Sequence, residues 1–153
     1  MRIVKLGLIS FAFLFVLVTL ISLLFPSHIR LSKATNLPNN RQRIFALLQD
    51  DSVWHPAYRD TGTMQTFAAL HKKTIEQTDS TLIVSLQQGN RKPVISGWQL
   101  YGKPQADSLT LQWYMDFHLS WYPWEKFSSL FYEHTYGEMM EKGLANLKQQ
   151  LVR

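Results

Sequence analysis

The 153-residue chain has no cysteine, which excludes disulfides, thiol chemistry and an anchor built on a lipidated cysteine, while leaving the compartment open. Acidic residues are absent from the first 49 positions, although Arg2, Lys5, Arg30, Lys33, Arg41 and Arg43 lie there. From Asp50 onward all eleven Asp and Glu face the other ten Lys and Arg, so the net charge of +5 belongs to the start of the chain. That excess flanks an apolar run and forms no track for nucleic acid phosphates. Anionic lipid headgroups are therefore the better partner, no nucleic acid is expected, and ordinary snorkelling charges would explain the pattern equally well.

Glycine-rich phosphate loops and a nucleophile elbow are also missing. His55, His71 and His134 are scattered without the spacing of a zinc site, so neither a metal nor a cofactor is expected. The pairs Lys72–Lys73 and Arg91–Lys92 fit solvated strand ends, and the chain has no internal repeat.

What is present begins with Leu6 to Phe25, twenty uncharged and mostly apolar residues stopped by Pro26. As a helix this run spans about 30 Å, roughly the hydrocarbon thickness of a bilayer. It is too long for the apolar core of a signal peptide and lacks a small-residue cleavage site. The reading is a membrane anchor over residues 1–27, its helix at about 6–25, followed by one domain over 28–153. Basic residues on the two sides nearly balance; a cytoplasmic N-terminus with an exported domain is marginally favoured.

Beyond the anchor, Ile29 to Leu37 alternates as a strand. Asn40 is placed to cap a helix over Arg41 to Gln49, with Ile44, Phe45, Leu47 and Leu48 as its apolar stripe and Asp50 at its end. Val53 to Tyr58 is an aromatic segment expected to fold back onto the body. Arg59 to Met64 reads as loop and Phe67 to Gln77 as strand; Thr81–Gln88, Pro93–Tyr101 and Ser108–Trp121 form an antiparallel meander.

The last of these strands is the most informative. Leu109, Leu111, Trp113, Met115, Phe117 and Leu119 alternate with Thr110, Gln112, Tyr114, Asp116, His118 and Ser120, so one face is heavily apolar and needs a large cover. Tyr114, Asp116 and His118 have spacings at which an Asp could orient a His as a base, but their face is expected to point to solvent. Pro123 opens a short helix carrying Phe127, Leu130 and Phe131. A final helix over about Gly137 to Leu151 aligns Met140, Leu144, Leu147 and Leu151.

Pro38 through Trp54, where a helix with Ile44 and Phe45 leads through Asp50 to a Trp, together with Gly143, Leu144, Leu147 and Lys148, resembles the START-like helix-grip superfamily, also called SRPBCC, which includes polyketide cyclase-like and lipid-transfer proteins. Trp113 to Phe131, with Pro123 and Lys126, is similar to the penultimate segment of membrane-anchored members. The likeness covers about residues 29 to 153. It departs at Tyr58, where a second Trp often stands, and at Gln150, where an acidic residue is common.

The resemblance implies an α+β fold in which a curved antiparallel sheet packs around the long C-terminal helix and encloses an apolar cavity. Trp54, Trp98, Trp113, Met115 and Phe117 are the candidate ligand-binding residues; simple core packing is the competing role for each. Binding of a lipid or other small hydrophobic ligand without catalysis is the leading expectation. A cyclase- or hydrolase-like enzyme on an apolar substrate and a protein-interaction module with a closed cavity are the alternatives.

Overall fold

The structure is a computed structural model that describes residues 2–56, 70–103 and 105–152. Its first element is helix α1, Arg2–Ser22. Side chains along nearly all of α1 are exposed, including Phe11, Phe13 and Leu14, and Ile3–Ser22 is long and apolar enough to cross a membrane. The helix begins before Leu6 because Arg2 and Lys5 do not disfavour helix. Its end tightens into three-residue bonds, Leu24 N to Ile21 O at 3.1 Å and Phe25 N to Ser22 O at 3.2 Å, so hydrogen bonding runs on to the residue before Pro26.

Strand β1, His28–Pro38, leads into helix α2, Arg41–Gln49. The Asn40 side chain caps α2 by accepting from Arg43 N at 3.1 Å, as its position predicts. Strands β2 (His71–Gln77), β3 (Thr81–Gln87), β4 (Val94–Tyr101) and β5 (Ser108–His118) follow. Ala57 and Tyr58 of the aromatic segment, the loop expected over Arg59–Met64 and the part before Leu70 of the strand expected over Phe67–Gln77 lie outside the described residues. The five strands make one curved antiparallel sheet in the order β1-β5-β4-β3-β2. β1 returns to pair with β5 along its whole length, from His28 opposite His118 to Pro38 opposite Ser108.

β5 stops at His118, short of Trp121, because only one more amide keeps the β1 register before the backbone turns away. Leu119 N donates to Ser27 O at 2.8 Å and Ser120 N to the Glu125 carboxylate at 2.6 Å. Helix α3, Pro123–Ser128, a short 3-10 turn Ser129–Phe131 and a π-helical turn Glu133–Gly137 then lead into helix α4, Glu138–Val152.

Met140, Leu144, Leu147 and Leu151 of α4 are all buried against the apolar row of β5 and its neighbours. Gly143 lets the helix come this close. A Cβ there would stand 2.9 Å from the Trp113 ring and 3.2 Å from that of Trp54.

Candidate functional site: a cavity at one end of the sheet

The inner faces of the strands follow from register. Trp98 lies opposite Trp113 and Ser96 opposite Met115, while Val84 and Leu86 of β3 face Ser96 and Val94. At the Trp113 level the interior is closed. Trp98 and Trp113 stack at 5.6 Å, and Trp54 meets both edge-on, at 6.5 and 5.5 Å. The Trp54 indole donates to Leu47 O at 2.6 Å, fixing the segment after α2, and the Trp113 indole donates to Ser96 Oγ at 2.8 Å. Trp98 Nε1 is buried without a partner among the described residues, a polar atom left over in the apolar cluster. The described part of the aromatic segment, 53–56, thus folds back as its composition predicts, and Asn146 of α4 holds it through Trp54 O at 3.1 Å.

One step along the same row the interior opens. A cavity of about 730 Å³ is walled by Leu86, Val94, Met115 and Phe117 and roofed by Tyr132 and Tyr136. Its rim carries Gln88, Asn90, Arg91 and Lys92 from the β3–β4 turn on one side and Ser120, Trp124 and Glu125 on the other. The π-helical turn sets the roof, since widening the helix there brings Tyr132 and Tyr136 each to 4.8 Å from the Phe117 ring. Lys33, the one charged residue on the inner face of β1, holds that roof through Glu133 at 2.7 Å and Glu141 at 2.8 Å, and these bonds raise its pKa. Burial pushes the Tyr136 phenol up, so it stays neutral as a hydrogen-bonding group at the cavity.

Of the five residues singled out from sequence, Met115 and Phe117 line the cavity. Trp54, Trp98 and Trp113 form the packed cluster beside it. Tyr132 and Tyr136 escaped the sequence reading because they sit in the irregular turn between two helices, where no regular period marks a face.

The Tyr114, Asp116 and His118 row occupies the opposite face, but the expectation that all three meet solvent needs correction. Asp116 is only 7% exposed. Arg30, its register partner on β1, donates to both carboxylate oxygens at 2.6 Å, and these bonds hold Asp116 below its ordinary pKa. Arg30 also lies over the Tyr114 ring at 4.6 Å, and that ring fills the space a side chain at Gly97 would need. Ser32 accepts from Gln112 at 2.6 Å and Asn36 from Thr110 at 2.8 Å, so this outer face is a polar ladder joining β1 to β5. Only His118, exposed at the strand end and 4.8 Å from His28, reaches the cavity rim. Among the described residues no cluster of His, Asp or Glu could hold a metal ion.

No family model and no curated protein matches the chain. Solved structures do. An uncharacterized protein from Bacillus thuringiensis has a TM-score of 0.55 at 9% identity, covering 82% of this chain and all of its own. A hypothetical protein from Helicobacter pylori has 0.55 at 11%, covering 80% and 88%. The di-domain ARO/CYC BexL of the BE-7585A biosynthetic pathway has 0.55 at 5%, covering 82% of this chain and 50% of its own. At such identities the likeness speaks to fold alone, and the fold is the helix grip.

Proposed function

We propose that the chain is a single-pass, membrane-anchored helix-grip protein that holds a lipid or other small hydrophobic molecule in the cavity above Met115 and Phe117, without chemistry on it. The observation that carries this reading is the cavity itself: about 730 Å³, with an apolar wall and polar groups confined to its roof and rim. That volume lies within the roughly 300–1,000 Å³ of small-molecule sites. The exposed apolar surface of α1 supports the anchor, because nothing in the described chain covers it.

The cyclase- or hydrolase-like alternative has less support. Tyr114 and Asp116 lie across the sheet from the cavity, and both Asp116 oxygens are engaged by Arg30. An interaction module with a filled interior fits poorly with the open space beside Phe117.

The test is photo-crosslinking of the full chain in phosphatidylcholine nanodiscs with a diazirine-bearing palmitic acid, followed by peptide mapping. Adducts on α1 report bulk lipid. Adducts on Met115–Leu119 and Tyr132–Tyr136, suppressed by Val94→Trp, are the expected result; adducts on α1 alone would refute the ligand.

A further inference from the structure

The segment after β5 is built inside out for a protein in water. Lys126 and Ser129 of α3 and its following turn are 2% and 7% exposed, whereas Trp124, Leu130 and Phe131 are 61%, 58% and 67% exposed. At helical spacing Trp124, Phe127 and Phe131 share one face, and Leu130 lies at its edge. Trp121, Tyr122 and Trp124 continue the patch as a ladder of rings, 4.7 and 4.8 Å apart.

The buried polar side explains how this face is held outward. Lys126 Nζ donates to Phe25 O at 3.0 Å and to Ser27 Oγ at 2.7 Å, so its ammonium caps the carbonyl end of the α1 run. Phe127 meets Phe25 edge-on at 5.5 Å. Together with the bond from Leu119 N to Ser27 O, these contacts leave little slack between α1 and the domain. The aromatic patch therefore stands beside the point where α1 leaves its apolar stretch, next to the exposed Leu23 and Leu24.

We infer that this face, Trp121, Tyr122, Trp124, Leu130 and Phe131, lies in the headgroup–acyl boundary of the same bilayer that α1 crosses, as a second membrane contact. The inference rests on the anchored reading of α1. Three observations select lipid as the occupant: continuity with the end of α1, the buried lysine that fixes the two together, and the Trp and Tyr content typical of membrane interfaces. Because Trp124 belongs both to the patch and to the cavity rim, this seating puts one lip of the cavity at the membrane surface, where an apolar molecule could pass in without crossing water.

The absence of cysteine makes a spin-label test direct. Single cysteines replace Phe13, Leu130, Lys142 or Ser128, which is exposed one helical turn after Trp124 on the same face; each variant of the full chain carries a nitroxide and is reconstituted in phosphatidylcholine–phosphatidylglycerol vesicles. Accessibility to oxygen against a water-soluble nickel chelate gives the depth of each. The expected result is a several-fold higher oxygen-to-nickel ratio at 128 and 130 than at 142, with 13 deepest.

Lipid-like values at 13 but water-like values at 128 and 130 would overturn the docking and leave the anchor standing. Lipid-like values at 128 and 130 with 13 in water would remove the anchor and keep the docking. Low access to both reagents at 128 and 130 would indicate burial against protein, such as a second copy, and would also overturn it.

Discussion

The apolar row of β5 passes through two different interiors. From Leu109 to Trp113 it is sealed by α4, Trp54 and Trp98, and Leu111 has no exposed surface. From Met115 onward the same strand, with the same alternation, borders a cavity. The difference lies in what comes opposite. At the sealed end a regular helix with Gly143 approaches to ring contact. At the open end the cover is the π-helical turn with the residue before it, where Tyr136 and Tyr132 pack on Phe117 as a roof and leave space beneath. Strand pattern dictates which face is apolar; the covering element decides whether that face becomes core or pocket.

Truncation should separate the two ends most strongly. Trp54→Ala is expected to cost about 3–5 kcal/mol, because it removes a fully buried indole, its edge contacts and its hydrogen bond to Leu47 O. Phe117→Ala should cost clearly less in thermal or urea unfolding, since it enlarges a space that is already open. Equal losses would erase the distinction. Next in size, Gly143→Ala should destabilise by about 1–3 kcal/mol through overpacking on Trp113 and Trp54. Ligand uptake at the other end should be little changed.

The smallest effect concerns the outer face, where Asp116 is buried but Arg30 is more than half exposed and screened. Asp116→Asn should cost about 1 kcal/mol or less at neutral pH. Because the folded pKa of Asp116 is lowered, its contribution is complete above the unfolded carboxylate value of 3.8 and is lost as pH falls through the folded value. Urea midpoints of wild type and variant should therefore converge in acid. A gap that persists below the folded value would show that Arg30 is not its source.

Much of the fold was legible because local signals agreed with the global arrangement. Asn40 marks the start of α2, the alternation in β5 marks its faces, and the spacing from Met140 to Leu151 marks the face of α4. The site was legible only in part. Met115 and Phe117 could be singled out as large residues on an apolar face, but nothing in that pattern separates them from Trp113, which packs in the closed cluster. The roof was hidden in an irregular turn. The burial of Asp116 depends on a pairing with Arg30 86 residues away, which no local period announces.

Methionine supplies a probe at each end. Met140 sits with no exposed surface in the sealed interior, and Met115 walls the cavity. Methyl NMR of the full chain in nanodiscs, with 13C at the methionine methyls, can follow both during addition of a spin-labelled fatty acid. Ligand binding in the cavity should broaden and shift the Met115 methyl saturably while Met140 stays in place. A Met115 signal as indifferent as that of Met140 would contradict it.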